Sequence, residues 1–156
     1  MFTTQQLFLL VPIALFLHCL EEWFLDFPSW ARRRFGPITT RRFYFLSHIP
    51  IFLVVIYLSV AGARAGNGGT YILLATAAQL ALAMNGVFHL LASLLFREYS
   101  PGLVTSVIFY FPLSWVLCDQ VFADGLLNFG HFLCATGIAA ITTVLVVSSL
   151  TWRKVI

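Results

Sequence analysis

Five stretches of this chain are apolar enough, for long enough, to cross a bilayer, and no other feature limits its fold so strongly. A spanning helix needs about 20 mostly apolar residues. Gln6–Phe24, Phe43–Ala63, Tyr71–Phe96, Leu103–Val121 and Leu126–Leu150 all meet that length and character. Pro12, Pro50 and Pro112 fall inside three of them. In a bundled membrane helix these are tolerated, because neighbouring groups satisfy the carbonyls that proline frees. The expected fold class is therefore all-α: a polytopic helix bundle with five transmembrane helices, forming one domain over residues 1–156. The first stretch has no Lys or Arg ahead of it and no small-residue cleavage site behind it, so it reads as a retained helix and not as a signal peptide.

Composition agrees. Of 156 residues, 60% are hydrophobic and 10% are charged. A soluble domain is closer to a quarter charged. A soluble globular domain, a disordered chain and a nucleic-acid-binding module are all excluded. Three scattered cysteines, Cys19, Cys118 and Cys134, make no disulfide scaffold and read as small apolar residues. The 16 Phe and 4 Trp read mostly as lipid-facing or interfacial anchors.

Charge sets the expected orientation. Arg32, Arg33, Arg34, Arg41 and Arg42 lie in the longest connection, Asp26–Arg42; Arg97 lies between the third and fourth stretches, and Arg153 and Lys154 follow the fifth. Only Arg64 falls on the other side. By the positive-inside rule the N-terminus is outside and the C-terminus cytoplasmic, as an odd number of spans requires. The basic loop reads as a topology signal beside anionic headgroups. Gly66, Asn67, Gly68 and Gly69 read as a flexible outer turn.

Against this background the buried polar residues stand out. An ionisable group in a spanning helix costs roughly 2.5–3.5 kcal/mol on insertion scales and persists when it is paired, wet or bound to something. The first stretch carries His18, Glu21 and Glu22. On a helix, i+3 and i+4 flank the face of i, so all three project into one arc. An imidazole and two carboxylates on one face form half of a metal site, or a hydrogen-bonded link between helices. The third stretch adds Asn85 and His89 at i, i+4, and the second adds His48 with Tyr44 one turn before it. Taken singly, each reads as an interhelical hydrogen bond. Depth groups them: at 1.5 Å per residue His18, His48 and His89 all lie roughly 7–11 Å below the inner surface. His131 sits near the outer end of the fifth stretch, where Asp119 is a possible partner. Tyr99-Ser100-Pro101-Gly102 opens the fourth stretch as an ordinary N-cap beside Arg97, and such a helix start is also an anion site.

These motifs resemble the HXXEE family of integral membrane proteins, found largely in bacteria and functionally uncharacterised. The name-giving motif stands as His18-Cys19-Leu20-Glu21-Glu22, an NxxxH element as Asn85 through His89, and a YSPG element as Tyr99 through Gly102. The resemblance implies that His18, Glu21, Glu22, Asn85, His89, Tyr99, Ser100, Pro101 and Gly102 belong to one site, and it names no reaction.

Residue chemistry leads to three classes of function. The first is a metal-dependent membrane enzyme, with ligands from His18, Glu22, His48 and His89. Of Glu21 and Glu22, the one that does not ligate acts as general base. Asn85 and Tyr99 assist catalysis, and Arg97, Ser100 and Tyr44 bind substrate. Zn²⁺ suits this donor set and Fe is the alternative cofactor. Hydrolysis or acyl transfer of an amphiphilic, lipid-like substrate follows, with a diiron oxidoreductase or a metal-free lipid isomerase at the same residues as alternatives. Only two carboxylates lie at the right depth, whereas bundle diiron sites use four. The second class is a small ion or proton transporter, for which no repeated halves are evident. The third is a structural subunit. The expected partners are the lipid bilayer, an amphiphilic small molecule and, in a homo-oligomer, further copies of the chain. The expected location is the bacterial cytoplasmic membrane.

Overall fold

The computed structural model describes residues 2–36, 40–66 and 69–149. Among them there is no strand, and six helices follow one another: α1 Thr4–Phe24, α2 Phe27–Arg34, α3 Arg41–Arg64, α4 Thr70–Phe96, α5 Leu103–Ala123 and α6 Phe129–Ser149. All but α2 are long and apolar enough to span a membrane. Pro12, Pro50 and Pro112 lie inside α1, α3 and α5 as expected. The last helix begins at Phe129, later than Leu126. The backbone turns through a left-handed Gly125, and Leu126 and Leu127 donate back to the Val121 carbonyl. Asn67, Gly68, Leu150, Arg153 and Lys154 lie outside the described residues.

The chain departs from expectation in the basic connection. Phe27–Arg34 is a helix there, with Pro28 in its first turn and Arg32, Arg33 and Arg34 in its last. Proline is tolerated at a helix start, where its missing N–H would have no partner, and cations favour a helix C-terminus. One face of α2 buries Phe27, Trp30 and Ala31 against Tyr44 and Ala92. Part of the aromatic set thus packs inward. Two further apolar clusters follow along the bundle, one around Val11, Leu15, Val55, Leu82 and Tyr110, the next around Leu7, Phe8, Ile72, Leu117 and Val121. Large apolar side chains such as Leu53, Leu95, Trp115, Phe129 and Leu145 are exposed on the flanks, as a lipid-facing surface requires.

Two close approaches set the bundle's spacing. A Cβ on Gly62 would lie 2.6 Å from the Ala75 Cβ, and one on Gly86 would lie 2.9 Å from the Ser106 Cβ. Small residues let membrane helices approach where no solvent drives them together. Within α5 the residues Ser106–Tyr110 form a π turn, with the Phe111 N–H donating to the Ser106 carbonyl. Such turns are rare and concentrate at functional sites. Gln79, fully buried, donates to the Tyr110 carbonyl at 3.2 Å and to the Ser114 hydroxyl at 2.7 Å, supporting the backbone where the ladder is irregular.

Candidate functional site

The helix ends that carry α2 also bring together His18 from α1, His48 from α3 and His89 from α4. Their common centre is the carboxylate of Glu22, which is 2% exposed. Its Oε1 lies 3.6 Å from His18 Nε2 and 3.5 Å from His89 Nε2. Its Oε2 lies 3.4 Å from His48 Nε2 and accepts a 2.9 Å hydrogen bond from the Tyr44 hydroxyl. All three imidazole contacts are longer than a hydrogen bond between charged groups, about 2.7–2.9 Å.

The other ring nitrogens are held from behind. His48 Nδ1 lies 2.8 Å from the Tyr44 carbonyl. A carbonyl only accepts, so this nitrogen carries the proton and, in the neutral ring, Nε2 presents a lone pair to Glu22. His18 Nε2 accepts from the Asn85 amide at 3.2 Å, and its Nδ1 meets the Thr105 hydroxyl at 3.0 Å, which gives the same tautomer. His89 Nδ1 meets the Ser100 hydroxyl at 2.9 Å, while its Nε2 is buried with no hydrogen-bond partner. The His48 lone pair turned toward a carboxylate oxygen does not attract it, whereas a cation between them satisfies both, and one beside His89 would give its unpartnered Nε2 a partner. Fixing a histidine through its far nitrogen is the arrangement that orients metal ligands.

Single ligand atoms of His18, Glu22 and His89 lie within 4.8 Å of one another, and so do those of Cys19, Glu22 and His48. The four expected ligands therefore divide into a compact set of His18, His89 and Glu22, with His48 across the second carboxylate oxygen. His48 is also the most open of the three imidazoles, its side chain 28% exposed against 2% for His18 and 0% for His89. Two small cavities adjoin the centre, of about 90 and 100 Å³; Asn85 and His48 line both.

Glu21 has a different setting from its neighbour. Its carboxylate accepts from the backbone N–H groups of Gly102, Val104 and Thr105 at 2.9, 3.2 and 2.7 Å, and from the Tyr99 hydroxyl. The anion site expected at the start of α5 is thus filled by the chain's own Glu21. Burial and Glu21 together push the Tyr99 phenol up to about 12. Ser100 is not the N-cap, which is Gly102. Instead it is fully buried and bonded to His89. A Cβ on Gly102 would lie 2.6 Å from His18 Cε1, 2.8 Å from His89 Cε1 and 2.9 Å from His89 Nε2, so the YSPG turn packs directly on both imidazoles. Arg97 is exposed at the left-handed C-cap of α4. His131 and Asp119 are both exposed, and among the described residues no ion pair joins them.

Sequence reasoning missed Thr105 and the covering helix. Phe27 of α2 packs its ring 5.6 Å from that of His89. Arg34 pairs with Glu98 in the turn between α4 and α5, joined by Arg33 at 3.3 Å. Thr105, one turn past the YSPG element, carries no signal of its own until the turn is folded.

Residues 9–117 match the family described as "Protein of unknown function with HXXEE motif". The chain belongs to that family. The HXXEE match contains every residue of the imidazole–carboxylate centre and ends before α6. An uncharacterized protein of Bacillus subtilis (strain 168), YrkK, is 23% identical over 134 residues, covering 82% of this chain and 82% of its own length. No solved structure matches the HXXEE chain.

Proposed function

We propose that this HXXEE protein is a metal-dependent membrane enzyme that hydrolyses a lipid-like amphiphile or transfers its acyl group. The observation that carries this reading is the convergence of three imidazole Nε2 atoms on one buried carboxylate at distances beyond a hydrogen bond, each ring fixed from behind. His18, His89 and Glu22 would hold the ion. Two histidines and one carboxylate are a catalytic zinc set with a position left for substrate. Of the two adjacent carboxylates, Glu22 is the one not already engaged by backbone donors, which favours a single ion over a diiron centre.

A bound Zn²⁺ supplies Lewis acidity toward a carbonyl. The chain's own residues supply the rest. Tyr44 holds Glu22 Oε2 in place. Thr105 fixes the His18 ring through Nδ1, and Asn85, which lines both adjoining cavities, would release the His18 Nε2 lone pair to the ion. His48, with an accessible ring, moves the proton. In hydrolysis the water oxygen bonds to the acyl carbon and the ester C–O bond breaks. The proton that water loses passes through His48 to the leaving alkoxide. Glu21 and Tyr99 hold the α5 terminus that carries Gly102 and Thr105. The arginines of α2, with Arg41, Arg42 and Arg97, support a cytoplasmic placement of this end, an outside N-terminus and residence in the bacterial inner membrane.

The test is elemental analysis of protein purified without added metal. About one equivalent of zinc or iron is expected in the native chain and in His131→Ala, with loss in His18→Ala and His89→Ala. A metal-free native protein would sink the reading and leave proton chemistry by Glu22, His48 and Tyr44.

A further inference from the structure

Between α1 and α3 an open cleft of about 390 Å³ runs down the flank of the bundle. Phe16, Leu20 and Trp23 form one wall, and Phe45, Ile49, Phe52 and Leu53 the other. The only polar side chains lining it are Cys19, Tyr44 and His48, with Tyr44 at the end that carries Trp23 and the other two about midway along it. Phe16, Ile49 and Leu53 on the rim are about half exposed, so the cleft opens sideways, toward the surface that faces lipid. From Phe16 to Trp23 it extends about 10 Å along the helix. At the end that carries Trp23, Arg41 is 67% exposed on its side chain, its guanidinium carbon lies 5.3 Å from the centre of the Trp23 ring, and it meets Asp26 at 3.7 Å in a solvent-open ion pair that a phosphate would share. Arg41 and His48 are seven residues apart. Two helical turns are 7.2 residues, so both lie on nearly one face, about 10 Å apart along the axis.

We infer that this cleft is the lipid site: a phosphate-bearing bilayer lipid lays one acyl chain between α1 and α3, sets its phosphate by Arg41 and brings its acyl ester to His48. This rests on the proposed reaction and gives it a substrate class. The cleft is apolar from His48 to its far end at Phe16 and Leu53, and polar where His48 contacts Glu22. A chain lying in it therefore has its headgroup end at the site. A water-soluble substrate would need another path, because α2 covers the centre with Phe27 and Trp30.

The experiment uses the full chain in nanodiscs doped with phosphatidylglycerol or phosphatidylcholine, each carrying a diazirine a few carbons below the ester on one acyl chain. Photoadducts are mapped by mass spectrometry. Adducts should concentrate on Phe16, Phe52 and Leu53, and fall at least about fivefold in Ile49→Trp and Leu53→Trp, which fill the cleft. These positions are more than half exposed, so both variants should melt as the native chain does. In Arg41→Gln cleft labelling by both lipids should fall. Adducts spread equally over the cleft and over exposed α6 residues such as Ile141 and Leu145 would overturn the site, as would indifference to both Trp variants. Labelling by both lipids that is unchanged in Arg41→Gln would overturn the role of Arg41. His89→Ala is run in parallel: cleft adducts retained there show that lipid placement stands whether or not a metal is found.

Discussion

Replacing Gly102 by Ala should empty the proposed metal centre while leaving the bundle folded. Gly102 sits at φ 105°, and an added Cβ would meet His18 Cε1 at 2.6 Å and His89 Nε2 at 2.9 Å. Ordinary contact begins near 3.4 Å, so the two rings must retreat by roughly 0.8 and 0.5 Å. Metal–ligand bonds hold to within about 0.2 Å, so neither ring can give way and still ligate. The left-handed backbone adds about 1–2 kcal/mol of strain for any residue with a Cβ. Gly125→Ala separates the two effects, because it also has a positive φ (66°) and meets nothing within 4 Å. Both variants should lower the melting temperature, Gly102→Ala further, because crowding adds to strain there. Metal content by elemental analysis should fall in Gly102→Ala alone. Full stoichiometric metal in Gly102→Ala would refute the reasoning, since it would mean that His18 and His89 are not the ligands. Equal metal loss in Gly125→Ala would mean that strain, not crowding, empties the site.

Ser100→Ala leaves His89 Nδ1 without its partner and should weaken zinc binding about 10- to 100-fold by calorimetric titration, with little change in secondary structure. Glu21→Gln replaces a carboxylate that three backbone N–H groups share. It should lower stability by about 1–3 kcal/mol in a detergent unfolding assay, through unsatisfied donors at the start of α5. Glu98 is held below the usual carboxylate range by its hydrogen bond from Arg34, with Arg33 also contributing. A depressed carboxylate stabilises the fold above its unfolded-state value and loses that contribution as pH falls through its own lower one. Hydrogen exchange in α2 should therefore quicken below about pH 4, and Glu98→Gln should show the faster exchange already at pH 7.

The spans were legible because hydropathy is summed over about 20 residues, and single polar side chains barely alter the sum. The three histidines were legible as a group because depth follows from residue counts along nearly parallel helices. Partner choice was not. Glu21 and Glu22 are 100° apart on α1, and no rule of spacing says that one caps α5 and the other meets the imidazoles. His48 aligns in depth with His18 and His89, yet it approaches the second carboxylate oxygen, because lateral position around the bundle leaves no mark in the sequence. α2 escaped notice for a different reason: eight residues with three arginines score as a polar loop, and only packing of Phe27 and Trp30 makes them a helix. His131 and Asp119 look costly in sequence and prove to be exposed.

The π turn of α5 reconciles two independent anchors on one helix. Beyond it, Ser114 is fixed by Gln79; before it, the backbone from Gly102 to Thr105 is fixed by Glu21. The extra residue in Ser106–Tyr110 lets both anchors be met at once. Forcing Ser106–Tyr110 into a regular α-helix with every residue kept would rotate one end against the other by about 100°. The end beyond Ser114 would keep its phase, and Gly102 would swing off the imidazoles it packs against. The centre is thus set by the length of a five-residue segment as firmly as by its own side chains.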